Sequence, residues 1–126
     1  MTENEIAKVI VDAAVKVHRA LGPGLFESVY EIALAYELGT RGLQVERQKP
    51  IVIFYEGIRF DEGFRADLVV AGLVIVEIKS LEHLVNVHRK QLLTYLRLTN
   101  LRLGLLLNFG APLMKDGIER IVNGLA

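Results

Sequence analysis

Apolar residues recur at the spacing of an α-helix in four stretches of this chain. In residues 3–21 they fall on one helical face, and Gly22-Pro23-Gly24 then ends the helix. Residues 25–38 form a second predicted helix, which ends at Gly39. A third runs from Asn86, a suitable N-cap, to Leu98, and residues 113–122 are expected to form a short closing helix.

Runs rich in β-branched residues, bounded by turn residues, predict a sheet between and after these helices. The most apolar run is residues 64–80, which reads as two buried strands joined at Ala71-Gly72. Residues 101–109 follow a helix, so a crossover should place them parallel to the preceding strand. Shorter segments complete the set: an edge strand or lead-in at 43–48, strands at 51–55 and 58–60, and turns at 56–57 and 61–63. The order α, α, β, β, β, α, β, α predicts an α/β (α+β) protein with a mixed sheet.

Three ionisable residues interrupt the apolar run of the central hairpin: Asp67, Glu77 and Lys79. A chain that needed only a core would place Val or Leu there, because a buried charge is costly unless it is paired or binds a metal. Glu77 and Lys79 are two residues apart on one strand and therefore share a face. Asp67 joins them only if the turn contains an odd number of residues or a bulge shifts the register. We predict a three-residue turn that uses Gly72.

With that turn, two carboxylates and the backbone carbonyl of Ile78 converge beside the ammonium group of Lys79. Oxygen ligands of this kind suit Mg²⁺ or Mn²⁺, with water and a phosphate in the remaining positions. Such an ion can activate water and offset charge on a phosphate, while Lys79 stabilises developing charge. The alternative is structural: Glu77 and Lys79 lie near the end of a strand, pair with each other and reach water.

Polar residues on two helices leave similar alternatives open. Glu27 lies in the first turn of its helix, where the dipole favours a carboxylate, but it shares a stripe with Tyr30 that could face the site. Gln91 and Tyr95 also share one stripe. They could contact a ligand or form the edge of the core. Arg89 and Lys90 could meet phosphate or simply face solvent.

Composition limits the classes of function. The 126 residues include fifteen basic and fifteen acidic residues, so any attraction to a phosphate must be local. The chain has no cysteine, which excludes disulfides, zinc-thiolate sites and a thiol nucleophile. Neither a signal peptide nor a membrane-spanning stretch is recognisable, so we expect one domain in the cytoplasm.

Taken together, these motifs resemble a known family along nearly the whole chain. Gly24-x-x-Glu27-x-x-Tyr30, Asp67, Glu77-x-Lys79 and Gln91-x-x-x-Tyr95 follow in order, with Asn108-Phe109-Gly110 and Gly117-Ile118 near the end. The chain resembles the GxxExxY family of small PD-(D/E)xK nuclease-superfamily proteins, although Ala66 stands where that pattern has proline. The resemblance implies a restriction-endonuclease-like α-β-β-β-α-β core with an extra N-terminal helix and a short C-terminal helix.

The resemblance also implies a role for each matching residue. Asp67 and Glu77, with the Ile78 carbonyl, would bind Mg²⁺ or Mn²⁺. Lys79 would be the catalytic lysine. Glu27 would complete the metal shell or hold a water. Gln91 and Tyr95 would orient Lys79 or contact the strand being cut.

Two functions follow from these observations. The first is a metal-dependent nuclease acting on DNA in preference to RNA, with Arg65, Arg89 and Lys90 as candidate substrate contacts. The second is a non-catalytic module of the same fold that binds nucleic acid or a protein partner. The lack of a net basic charge favours the second function, and the presence of Asp67, Glu77 and Lys79 together favours the first. A chain of this size has little surface for contact with duplex DNA, so a homodimer is one expectation.

Overall fold

The fold is a five-stranded mixed sheet with helices on both faces, of the restriction-endonuclease-like type predicted from the sequence. The computed structural model describes residues 1–125, apart from the side chain of Glu62. In chain order the elements are α1 (Glu3–Leu21), α2 (Glu27–Thr40), β1 (Val45–Tyr55), β2 (Ile58–Val70), β3 (Val74–Lys79), α3 (Asn86–Thr99), β4 (Leu103–Asn108), a 3₁₀ turn (Met114–Gly117) and β5 (Ile118–Val122). The strands lie side by side in sequence order.

The three long helices lie where the apolar spacing predicts them, although α2 begins at Glu27 rather than at residue 25 and runs through Gly39 to Thr40. Thr2 caps α1 through a capping box with Glu5. Asn86, predicted as the N-cap of α3, is instead its first residue, and Val85 holds the cap position. The backbone N–H of Val85 donates to His88 Nδ1 at 3.2 Å, so a side chain from the first turn satisfies this backbone group. Within the described residues no helix is long and apolar enough to cross a membrane.

The hairpin of β1 and β2 is longer and more continuous than predicted. The separate segments at 43–48 and 51–55 are a single strand, β1, from Val45 to Tyr55. The turn predicted at 61–63 is wrong, because β2 runs through it from Ile58 to Val70. The pairing register shifts within this hairpin, because Ile51 pairs with Phe64 whereas Ile53 pairs with Phe60. Three residues of β2 therefore lie opposite one residue of β1.

The predicted turn between β2 and β3 is confirmed. Residues 71–73 connect the strands, and Val70 pairs with Val74. Ala71 and Gly72 both have positive φ, and Leu73 donates its N–H to the carbonyl of Val70 at 3.0 Å. The predicted crossover is also confirmed: α3 connects β3 to β4, and these strands are parallel.

The closing helix predicted over residues 113–122 is wrong except for a short 3₁₀ turn. Residues 118–122 form β5, which pairs antiparallel with β4 and completes the sheet. Ile118 packs with the core under α1 and α2, whereas Ile121 packs with the core under α3. Only an extended segment can send these residues to opposite faces of a sheet, so tertiary packing overrides the helical spacing.

The two cores lie on opposite faces of the sheet. α1 and α2 pack on one face against Leu68, Val76 and Ile78, and α3 packs on the other against Val69 and Ile75. Since side chains alternate along β3, Glu77 and Lys79 lie on the α3 face with Ile75. The sheet therefore presents these two ionisable side chains beside α3, at the end of β3.

Candidate metal centre and active site

Asp67 and Glu77 meet where the ladder between β2 and β3 ends. The last pair is Leu68 with Val76, and the next position on each strand is Asp67 and Glu77. There the Asp67 side chain replaces a backbone acceptor, because Oδ2 accepts the N–H of Ile78 at 2.8 Å. This contact fixes the Asp67 carboxylate directly beside the strand that carries Glu77 and Lys79.

Glu77 is buried, and its carboxyl group contacts that of Asp67. Burial, the hydrogen bond to Asp67 and the negative charge of Asp67 raise the pKa of Glu77 from 4.5 to about 9, and the Lys79 ammonium opposes this only partly. The Glu77 carboxyl group is therefore protonated at neutral pH and donates a hydrogen bond to Asp67. Two acidic groups that share a proton form a site in which a cation can take the place of that proton.

Tyr95 and Gln91 extend the site from α3. The ring of Tyr95 stacks on Phe64 of β2, with centroids 3.6 Å apart. Burial and the negative charges of Glu77 and Asp67 raise the pKa of Tyr95, while a hydrogen bond with Gln91 acts in the opposite direction. The phenol thus lies within electrostatic reach of both carboxyl groups.

Glu27 reaches the end of β3 from the other face of the sheet. Its Oε2 accepts the backbone N–H of Ser80 at 3.1 Å, one residue beyond Lys79. The hydroxyl of Ser80 also donates to the carbonyl of Leu25 at 2.7 Å. Glu27 is exposed at the N-terminus of α2, so it stands next to the site while also holding the segment that follows β3.

Tyr30, the last residue of the Gly-x-x-Glu-x-x-Tyr motif, is a structural residue of this neighbourhood. It is fully buried and stacks on Phe109 with centroids 4.4 Å apart. Its hydroxyl donates to the carbonyl of Gly22 at 2.5 Å and accepts the N–H of Leu25 at 3.0 Å. The tyrosine therefore secures the loop that precedes Glu27.

Two residues of the site were not recognised in the sequence: Glu31 and Gln48. The Gln48 carboxamide donates to Glu31 Oε1 at 2.5 Å and to Asp67 Oδ1 at 3.2 Å. Arg47 holds the other oxygen of Glu31 at 3.1 and 3.2 Å. Glu31 lies one helical turn after Glu27, and that spacing was the available signal. Nothing in the local pattern of β1 marked Gln48.

The basic residues predicted to meet a substrate lie in different surroundings. Arg89 forms a two-pronged ion pair with Glu119 of β5 and also donates to Asn86 at 2.9 Å. Lys90 is exposed on α3, and Arg65 lines a shallow pocket with Pro50 and Phe64. Lys90 and Arg65 thus remain more available to a phosphate than Arg89.

The donor atoms suit a hard divalent cation. Within residues 1–125, Glu62 aside, no three acidic or histidine side chains converge as a complete metal cage. The protein would instead supply the carboxylates of Asp67 and Glu77 and the carbonyl of Ile78. Mg²⁺ commonly binds through one or two carboxylates and keeps several waters or phosphate oxygens, so this small set of ligands fits it.

Comparison with known proteins identifies the family. A family model for the PD-(D/E)XK nuclease superfamily matches residues 4–121. No curated protein matches the sequence. One similar solved structure is the crystal structure of SSO0001, which is 18% identical, with a TM-score of 0.46 over 96% of this chain and 79% of that chain.

Proposed function

The chain belongs to the PD-(D/E)XK nuclease superfamily, and on that premise we propose that it is a Mg²⁺- or Mn²⁺-dependent nuclease that hydrolyses phosphodiester bonds, in DNA before RNA. The observation that carries the proposal is the contact between the Asp67 and Glu77 carboxyl groups beside Lys79, on an otherwise apolar part of the sheet. The finer assignment to the GxxExxY group, a cytoplasmic location and a homodimer belong to the same proposal.

The residues divide the work of hydrolysis between them. Asp67, Glu77 and the carbonyl of Ile78 would hold the cation. Such a cation would lower the pKa of a bound water and offset negative charge on the phosphate. Lys79 would place its ammonium group against the phosphate or the attacking hydroxide, where charge develops in the transition state. Tyr95, with Gln91 behind it, would position the scissile strand, and Glu27 would hold a water at the end of β3.

The first test is a calorimetric titration of Mn²⁺ into the wild type and Asp67→Asn. The asparagine keeps an oxygen that can accept the N–H of Ile78 but lacks the charge that binds a cation. We expect saturable binding to the wild type and at least about tenfold weaker binding to the variant. Asp61→Asn is the matched control, because Asp61 lies on the same strand and pairs only with Arg59 among the described side chains.

The second test is cleavage of single- and double-stranded DNA and RNA with Mg²⁺ or Mn²⁺. Cleavage that is absent in EDTA and in Asp67→Asn would support the nuclease. A wild type that binds these nucleic acids and cleaves none of them would instead identify the non-catalytic module. A wild type that binds no Mn²⁺, with or without an oligonucleotide, would contradict metal dependence.

A further inference from the structure

We propose that Gln48 is the positioning residue of the candidate metal centre, and that its carboxamide, anchored by Glu31, sets the orientation of the Asp67 carboxylate. This inference rests on the proposed metal-binding role of Asp67. It goes beyond that role by assigning a task to two side chains outside the nuclease motif.

The hydrogen bonds to Asp67 account for both of its oxygens. Ile78 N–H donates to Oδ2 at 2.8 Å, and Gln48 Nε2 donates to Oδ1 at 3.2 Å. A carboxylate oxygen has two lone pairs, so each oxygen keeps one beyond these two donors, for the proton of Glu77 or for the cation that replaces it. Two donors on different strands fix the plane of the carboxylate. With the hydrogen bond from Ile78 alone, the Asp67 carboxylate could still change its orientation.

Gln48 is itself held in place from the interior. Its Nε2 also donates to Glu31 Oε1, and only 5% of Glu31 is exposed. A buried carboxylate is costly unless it is paired, and Arg47 supplies that partner. Glu31, Gln48 and Asp67 therefore form a continuous chain of hydrogen bonds from α2 through β1 to β2.

The backbone at Gln48 points to a requirement for this side chain. Gln48 has a φ of 49°, a left-handed conformation that favours glycine over residues with a Cβ. The flanking pairs are Arg47 with Leu68 and Lys49 with Ala66, so this conformation occurs directly opposite Asp67. Strain of this kind persists where the surroundings enforce it, often at functional sites. Glycine would suit the backbone better, but it could not bridge Glu31 and Asp67.

The test therefore uses Gln48→Gly, which relieves the backbone and deletes only the bridge. Partners of metal ligands typically contribute about 10- to 100-fold to metal affinity or activity. We expect Mn²⁺ to bind Gln48→Gly at least about tenfold more weakly than the wild type by calorimetry, and its Mn²⁺ electron paramagnetic resonance spectrum to change. The melting temperature in EDTA should stay within a few degrees, because glycine favours this φ. Gln44→Ala, an exposed glutamine just before β1, is the control and should bind Mn²⁺ as the wild type does.

The cleavage assay separates positioning from chemistry. Raising the Mn²⁺ concentration should restore much of the turnover of Gln48→Gly, because the variant binds Mn²⁺ more weakly but keeps every group that takes part in the reaction. If the wild type binds Mn²⁺ and Gln48→Gly binds it equally well, Gln48 has no positioning role and the proposed nuclease stands. If the wild type binds no Mn²⁺, the proposed metal dependence fails and this inference fails with it.

Discussion

The carboxyl groups of Asp67 and Glu77 meet at the point where β2 and β3 part. Burial and the hydrogen bond to Asp67 raise the pKa of Glu77 to about 9, so Glu77 carries a proton at neutral pH. In the absence of a cation, the proton prevents two negative charges from meeting in a mostly apolar layer. The affinity of the site for metal and the stability of the metal-free fold should therefore both depend on pH, in opposite directions.

Metal-free stability should fall as pH rises from about 4.5 to about 9 through the contribution of Glu77. Below pH 4.5 the group is protonated in both states, and above it the unfolded chain loses a proton that the folded chain keeps up to about pH 9. Glu77→Gln removes this proton and should flatten the decline. Urea unfolding at pH 5, 7 and 9 in EDTA measures the difference between the two curves.

Mn²⁺ affinity should rise over the same pH range, because binding must release the proton of Glu77.

The control for the stability prediction is Glu56→Gln, at the exposed tip of the β1–β2 hairpin, which should follow the wild-type stability curve. Parallel stability curves for Glu77→Gln and the wild type would show that Glu77 is ionised in the fold and would contradict this assignment.

The sequence predicted the turn between β2 and β3 better than it predicted the far edge of the sheet. Period-two alternation requires an odd number of residues in the turn after Val70 if Asp67 is to reach Glu77, and the three-residue turn predicted on that basis is present. The closing segment could not be inferred in this way, because Ile118 and Ile121 fit a helix locally and are extended only because β4 needs a partner. Gln48 was not recognised as a site residue for a related reason, because its contacts come from α2 and β2, far from it in sequence.

Lys79→Ala should lower the turnover of phosphodiester cleavage by at least about 100-fold, since an electrostatic group at developing charge commonly contributes that much. Lys79 is half-buried at the end of β3 and belongs to neither cluster of buried apolar side chains, so the substitution leaves both cores unchanged. The fold should therefore remain intact, as circular dichroism and a melting curve can check. Single-turnover cleavage with saturating Mg²⁺ is the measurement.

Lys115→Ala is the matched control for this substitution, because Lys115 is exposed on the 3₁₀ turn. Its turnover should equal that of the wild type. Substantial residual cleavage by a well-folded Lys79→Ala variant would remove Lys79 from the mechanism while leaving the metal ligands in place.

Tyr30→Phe should destabilise the fold by about 1–3 kcal/mol, the usual cost of leaving buried hydrogen-bonding groups without a partner. The hydroxyl joins the carbonyl of Gly22 to the N–H of Leu25, and the ring is fully buried. Chemical denaturation provides the measurement, and Tyr36→Phe is the control because Tyr36 is 73% exposed. Equal stabilities for the two variants would show that the Tyr30 hydroxyl does not secure the loop.

Gly110→Ala should destabilise the segment that follows β3. A Cβ at this position would lie 2.2 Å from the carbonyl oxygen of Leu81 and 2.5 Å from its nitrogen. The Asn108 side chain binds both of these Leu81 atoms, at 2.9 and 3.0 Å, so Leu81 cannot move without losing those hydrogen bonds. We expect a loss of about 1–3 kcal/mol, typical of overpacking.

The same substitution at Gly39 should have the opposite effect on the stability of the fold. A Cβ there meets nothing within 4 Å, and Gly39 lies in the last turns of α2. Alanine in a helix is better than glycine by up to about 1 kcal/mol, so this variant should be as stable as the wild type or more stable. Urea unfolding of the two variants side by side tests the contact with Leu81. A Gly110→Ala protein as stable as Gly39→Ala would show that the segment after β3 can move to admit a methyl group, and that Asn108 does not fix Leu81.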